Sequence, residues 1–382
     1  MRERFPKRRD PNNMFKVKLL RFLLKIFYIF PVNKRKVFFS SFEGKSIACN
    51  PKYIYEYMKE QHYDLKYIWE CNNRKGKGYV KHNSLGYIFH ILTSKYVISN
   101  NSVSPVLPIR RKKQIVVNTW HGAGAYKKIG KYVDSKVNGT DMDRQRMINA
   151  QTTCFFAGSK MWSEVVSDSI DFPVEKFIPT GMARNSIFYK DIDKVALKKK
   201  FGFDADTHIC LYAPTFRGNT GESRDENYAG LDAERVVKAL EKRFGGKWVF
   251  ATRCHYHTHS QKLANSIDLS SAEDMQELLV FVDMLISDYS SSIWDFCLTL
   301  KPCILYCYDL DKYKSERDFY VPIEEWGFPI ANDLESLIKV IENFDERDFK
   351  EKMLKHQKDQ GSYEGIDAPK KAVEYLFNYK LK

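Results

Sequence analysis

Residues 114–122 read QIVVNTWHG. A short run of β-branched residues stops abruptly in polar and small ones, the pattern of a buried strand that delivers side chains to its carboxyl end. The same pattern precedes it in VFFSSF (37–42), LKYIWEC (65–71) and KYVISNNS (95–102), and follows it in CFFAGS (154–159) and KFIPTG (176–181). A second series begins at HICLYAPTFR (208–217) and continues through WVFATRCH (248–255), MLISDYSSS (284–292) and PCILYCYD (302–309). Helix-like stretches separate the runs, among them Tyr53 to Gln61, Ala233 to Arg243 and Leu334 to Phe344. Short apolar strands alternating with helices predict parallel sheets built from βαβ units.

Two series predict two domains, and 382 residues at roughly 150 per domain agree. The expected division is a leader over 1–35, a first Rossmann-like domain over 36–195 and a second over 196–382, joined by a Lys-rich segment. Tyr96-Val-Ile-Ser-Asn in the first half echoes Met284-Leu-Ile-Ser-Asp in the second. In open parallel sheets ligands bind beyond the carboxyl ends of the strands. Two such domains with facing strand ends enclose a cleft, the GT-B-like α/β architecture.

Charge separates the leader from the body. Of the net charge of +14, residues 1–36 carry +10 and the other 346 residues only +4. A nucleic-acid-binding body would carry its excess on the fold itself. Met14 to Phe30 reads MFKVKLLRFLLKIFYIF. Four basic residues interrupt a stretch shorter than the ~20 apolar residues a spanning helix needs. Lys18, Arg21 and Lys25 fall on one helical face, so the expectation is a basic amphipathic helix on an anionic membrane surface. The eight cysteines include no CxxC pair, which predicts reduced, buried thiols rather than a zinc ribbon. Neither a Walker loop nor GxGxxG occurs.

Five polar clusters follow strand-like runs. In Asn118-Thr-Trp-His-Gly-Ala-Gly, followed by Lys127 and Lys128, His121 suits general-base work, and Gly122 allows close approach to a ligand. In Pro179-Thr-Gly-Met-Ala-Arg-Asn, Arg184 could grip a phosphate or carboxylate. Tyr212-Ala-Pro-Thr-Phe-Arg-Gly offers the Thr215 hydroxyl and the fixed cation Arg217. In Thr252-Arg-Cys-His-Tyr-His-Thr-His, Arg253 with His255 suits an anion better than a metal, since no ligands at zinc spacing accompany His255, His257 and His259. In Ile286-Ser-Asp-Tyr-Ser-Ser-Ser-Ile-Trp-Asp, Ser290 and Ser291 would lie at a helix N-terminus, which favours anions, and Asp288 could orient a His or accept a ribose hydroxyl.

In order and spacing from about residue 90 to 325, NTWHG, PTGMxRN, YAPTFR, RxH and ISDYSS with a following Asp resemble the CDP-glycerol glycerophosphotransferases, the teichoic acid primases and polymerases with relatives in capsule synthesis. The resemblance implies a GT-B fold and transfer of glycerol phosphate from CDP-glycerol to a lipid-linked or polymeric acceptor, with release of CMP, by a peripheral protein at the cytoplasmic membrane face. It implies that His121 is the base, that His255 is a second essential residue, and that Arg217, Ser290 and Ser291 hold the diphosphate. No cofactor or nucleic acid is called for, and stimulation by Mg2+ is left open. This chain departs from the family in lacking the Pro of RxHP at Tyr256 and in reading GMARNS for GMPRND. The departures keep CDP-ribitol, or another CDP-alditol, as an alternative donor. A nucleotide-sugar glycosyltransferase on the same fold is the further alternative.

Overall fold

A computed structural model of the chain describes residues 11–122, 124, 126–133, 141–215, 230–253 and 263–379. Its first sheet has seven strands: β1 (Asn33–Ser40), β2 (Lys66–Glu70), β3 (Tyr79–Val80), β4 (Ser94–Ser99), β5 (Ile115–Asn118), β6 (Cys154–Phe156) and β7 (Phe177–Ile178). Their order is β3-β2-β1-β4-β5-β6-β7. The second sheet has six: β8 (Thr207–Tyr212), β9 (Lys247–Thr252), β10 (Ile267–Asp268), β11 (Met284–Ser287), β12 (Cys303–Tyr306) and β13 (Ile330–Ala331). Their order is β10-β9-β8-β11-β12-β13. The recorded strand pairings are parallel in both sheets.

Parallel strands are covered on both faces, which is why the central ones read as unbroken apolar runs. Val37, Phe38 and Phe39 of β1 are buried, as are Ile209 to Tyr212 of β8 and Met284 to Ile286 of β11. Sequence echo and topology coincide: β4 lies beside β1 where the first sheet reverses its winding, and β11 lies beside β8 at the same point of the second.

The chain crosses between the units and returns. The helix Ala368–Asn378 sits at the end of the sequence, yet Ala372, Val373 and Leu376 pack in the core of the first sheet with Val37 and Phe39. The expected second domain, 196–382, therefore gives its last helix to the first unit. At the other boundary Lys36 is already part of β1 and buried, so a cut at 35/36 falls inside a strand. The seven described cysteines are free and buried.

The leader forms the helix α1 (Pro11–Leu24), continued by a 3-10 turn, Lys25–Ile29. Leu24 and Phe27 pack against the core beneath helix α2 (Leu85–Thr93), and Arg111 donates to the carbonyls of Tyr28 and Phe30. The opposite side stays open: Phe15, Phe22, Ile26 and Ile29 are each about two-thirds exposed or more. No helix among the described residues is long and apolar enough to cross a membrane.

The units are tied by buried charge. Arg184 of the first unit and Asp295 of the second are almost fully buried and lie 2.8 Å apart. Asn185 also donates to Asp295, at 3.1 Å, as does Gln276, at 2.9 Å. Removing one partner of a buried pair strands the other charge, typically at a cost of about 3–5 kcal/mol. Arg184→Ala is expected to lower the melting temperature by several degrees, while Arg74→Ala, which breaks an exposed pair with Glu273, leaves it nearly unchanged. Scanning calorimetry of both variants checks this, and equal effects would contradict it.

Candidate active site

The turn that ends β5 is held in an unusual backbone conformation. Trp120 has φ +53°, a left-handed value that is uncommon for a bulky residue and is maintained only where surroundings enforce it. Here Trp120 N–H donates to Asn118 Oδ1 at 2.8 Å, and Asn50 Nδ2 donates to the carbonyls of Thr119 and Trp120 at 2.9 and 3.1 Å. The Trp120 ring stacks on His121, with centroids 5.4 Å apart and planes 13° from parallel.

His121 is thereby fixed in orientation and tautomer. Its Nδ1 lies 2.9 Å from the carbonyl oxygen of Asn100, an atom that can only accept. Nδ1 therefore carries the proton, and in the neutral ring Nε2 is left with a free lone pair. The ring keeps a surface open to solvent but sits within a cleft of surrounding protein. Desolvation by that protein lowers its pKa, against a smaller opposing effect of the Asn100 bond, and the charges of Arg184, Lys127 and Arg317 lower it further. The result is a neutral imidazole in a cationic setting.

The turn reaches across to the second unit. A Cβ on Gly122 would lie 3.0 Å from Ser291 Cβ, tighter than ordinary contact. One on Gly124 would fall 1.9 Å from the Trp294 ring, which is impossible without rearrangement. The carboxyl ends of β5 and β11 therefore meet, as the cleft architecture requires. Beyond the turn Tyr126 stacks on Trp294 at 4.4 Å, Lys128 pairs with Asp318 at 2.5 Å, and Lys127 and Phe319 form an isolated antiparallel bridge.

On the second unit, Asp288 is fully buried directly after β11. Its Oδ1 accepts from the Thr215 amide at 2.8 Å and from the Thr215 hydroxyl at 2.6 Å, so it fixes the loop after β8. Ser290 and Ser291 precede a helix of five residues, Ser292–Phe296, and the Ser292 hydroxyl lies 3.0 Å from that of Ser290. Arg253 follows β9 and donates to Ala272 O at 3.2 Å; its Nε is buried with no partner among the described residues.

The structure thus brings His121 and Gly122 to Ser291, and Thr215 to Asp288. Arg184 is placed otherwise than at a phosphate: its guanidinium is occupied by Asp295 and by the Cys49 sulfur, 3.1 Å away. Arg217 and His255 lie outside the described residues. Sequence reasoning passed over Asn100, which fixes His121, and Arg317, whose charge bears on it; ISNNS and the tetrapeptide Arg317-Asp318-Phe319-Tyr320 were the available signals. Among the described residues no group of three or more His, Cys, Asp or Glu could hold a metal ion.

A family model described as CDP-Glycerol:Poly(glycerophosphate) glycerophosphotransferase matches residues 22–376. The chain belongs to this family. A teichoic acid poly(glycerol phosphate) polymerase of Bacillus spizizenii is 26% identical, over 94% of this chain and 96% of its own length. A poly(ribitol-phosphate) polymerase of the same organism is 27% identical over 86% of this chain, which spans only 55% of that protein. The structure of the wall teichoic acid polymerase TagF superposes with a TM-score of 0.80 at 23% identity, covering 97% of this chain and 98% of that one, and shows the shared fold.

An unperturbed histidine titrates near pH 6.5. Because the surroundings lower the His121 pKa, a rate that needs the neutral ring is expected to show its acid limb in kcat/KM below that value. Removing a neighbouring cation with Arg317→Gln is expected to move the limb upward. A limb above the ordinary histidine range in the wild type, or a downward move in the variant, would contradict the electrostatics.

Proposed function

We propose that this protein moves glycerol phosphate from CDP-glycerol to a hydroxyl of a lipid-linked or polymeric acceptor and releases CMP, in the synthesis of teichoic acid or a capsule-type polymer. The observation that carries the reading is the His121–Asn100 bond, which leaves Nε2 of the neutral ring unprotonated and able to accept a proton. That atom takes the proton of the acceptor hydroxyl as its oxygen attacks the β-phosphorus. The bond from the β-phosphorus to the bridging oxygen breaks, and CMP leaves with the electron pair. In-line displacement of this kind needs positioning and positive charge rather than a covalent nucleophile.

The diphosphate is assigned to the second unit's strand ends: Thr215 held by Asp288, the Ser290–Ser291 turn facing Gly122, and Arg253 with its free Nε. His255 and Arg217 complete the set as contacts to phosphate. Arg184 acts through Asp295 by holding the units in register. Relatives named for glycerol phosphate and for ribitol phosphate match at similar identity, and a TagF variant soaked with CDPG shares the fold at a TM-score of 0.79. CDP-ribitol is accordingly the second donor to test.

CMP release from CDP-glycerol, CDP-ribitol and UDP-glucose in parallel, with a lipid-linked glycerol phosphate acceptor, tests the reading. Release from one CDP-alditol alone is expected; release of UDP, or nothing from any donor, would send the function back to a sugar transferase or a binding protein. His121→Ala is expected to remove transfer while donor binding persists, and normal turnover would dismiss His121 as the base.

The leader is assigned to the cytoplasmic face of an anionic membrane. Its exposed Phe15, Phe22, Ile26 and Ile29 supply the apolar contact, and its basic residues supply the attraction to anionic headgroups. Because β1 begins at Asn33, the test is substitution rather than truncation. Phe22→Asp with Ile26→Asp is expected to abolish sedimentation with phosphatidylglycerol vesicles and to spare turnover of a soluble acceptor. Retained vesicle binding would free the leader from this role.

A further inference from the structure

The carboxyl edge of the first sheet carries a built platform that the chemistry at His121 does not use. Phe42, Glu43 and Gly44 follow β1 in three consecutive left-handed conformations, with φ of +48°, +57° and +77°. Two of them are not glycine, so the surroundings must enforce the turn. Phe42 N–H donates to Asn100 Oδ1 at 2.9 Å, and Asn100 also holds His121. Asn72 donates its amide to Gly44 O at 2.7 Å and its side chain to Glu43 O at 3.1 Å. In turn Asn72 Oδ1 accepts from His82 N–H at 3.1 Å. His82 Nδ1 pairs with the buried carboxylate of Glu70, which also accepts from Ser40. One hydrogen-bonded floor therefore runs from His121 beside β5 to His82 beyond β3. At ~4.8 Å per strand, four strand steps make it about 19 Å long.

The far end of that floor is cationic. Arg74, Lys75, Lys77, Lys81 and His82 all fall within nine residues of the β2–β3 connection and its exit. Lys75, Lys77 and Lys81 are exposed, and none has an ion-pair partner among the described residues. Arg74 reaches Glu273 of the second unit at 3.1 Å, which sets this segment at the mouth of the cleft rather than on a remote surface. Burial disfavours the charged form of His82, but the hydrogen bond and charge of Glu70, with the charge of Glu43, together outweigh it, so the innermost group of the cluster leans toward the cation.

We propose that Lys75, Lys77, Lys81 and His82 form a subsite for phosphodiester groups of the acceptor, several units behind the hydroxyl that reaches His121. The proposal rests on the glycerol phosphate reading above, because only an acceptor that repeats its phosphate places anions along this edge. The cations hold the growing chain on the floor and feed its end to the base. A membrane surface could also attract lysines, but the cluster shares its edge with His121 and is linked to it by continuous hydrogen bonds.

The test uses the full chain and a fluorescent glycerol phosphate oligomer of several units, beside a single-unit analogue. Lys75→Glu, Lys77→Glu and Lys81→Glu are combined, and affinity for CDP-glycerol serves as the check that the variant is folded. Oligomer binding by anisotropy is expected to weaken about tenfold and to lose most of its salt dependence. Affinity for the single-unit analogue should stay within about twofold, since one phosphate near His121 does not span the floor. Oligomer affinity equal to wild type would overturn the subsite. So would loss of binding to phosphatidylglycerol vesicles with oligomer affinity intact, which would assign the lysines to the membrane. If the wild type releases no CMP from any donor while the variant still loses the oligomer, the subsite stands and the transfer reading falls.

Discussion

The carboxylate of Asp295 is the constraint on which the cleft depends. It is buried, and its oxygens are held by Arg184 and Asn185 from the first unit and Gln276 from the second. A buried charge is tolerable only when its partners are in place. The relative position of the two sheets is thereby fixed where their strand ends meet, and the Trp120–Gly124 turn is fixed with it. Gly124 has room for nothing larger than hydrogen because Trp294 is brought so close, and a Cβ at Gly122 would press on Ser291. The glycines are a consequence of the docking as much as of the turn.

Each unit also repeats one local device. Directly after β4, Asn100 accepts the backbone N–H of Phe42 from the loop after β1. Directly after β11, Asp288 accepts the backbone N–H of Thr215 from the loop after β8. In both sheets a polar residue at the winding reversal captures the loop of its neighbour, and in both the captured loop faces the cleft. The Ser-Asn and Ser-Asp echo in the sequence is the trace of this arrangement. Substituting carboxamide for carboxylate suits the two sides: the neutral one sits beside His121, where a negative charge would raise its pKa.

Much of the fold was legible because buried parallel strands are written as apolar runs. The edge strands Tyr79–Val80, Ile267–Asp268 and Ile330–Ala331 are two residues long and mostly unburied, so no apolar run marks them in the sequence. The last helix could not be assigned to the first unit from sequence, since its apolar stripe says that it packs but not on what. In the site, His121, Gly122 and Ser291 were legible as small and polar residues at strand ends, and the structure places them there. Arg184 suits a phosphate or a carboxylate equally in the sequence, and which of them it meets is not written locally because Asp295 lies 111 residues away. The left-handed run at Phe42 and Glu43 was invisible for a different reason: neither residue type announces positive φ, and the enforcing partners come from two other strands.

The electrostatics of the cleft meet two demands with one set of groups. Phosphate-bearing substrates require cations, and a histidine base requires that its own proton be easy to lose. Lys127 and Arg317 serve both ends, since the field that favours an anion beside the ring also disfavours a charged imidazole. Had a carboxylate oriented His121, as in many acid–base pairs, it would have opposed substrate and raised the ring pKa together. The carbonyl of Asn100 orients the ring without adding charge. A backbone acceptor at this position is therefore the choice consistent with phosphate chemistry, and it makes the neutral, Nδ1-protonated tautomer the resting state of the site.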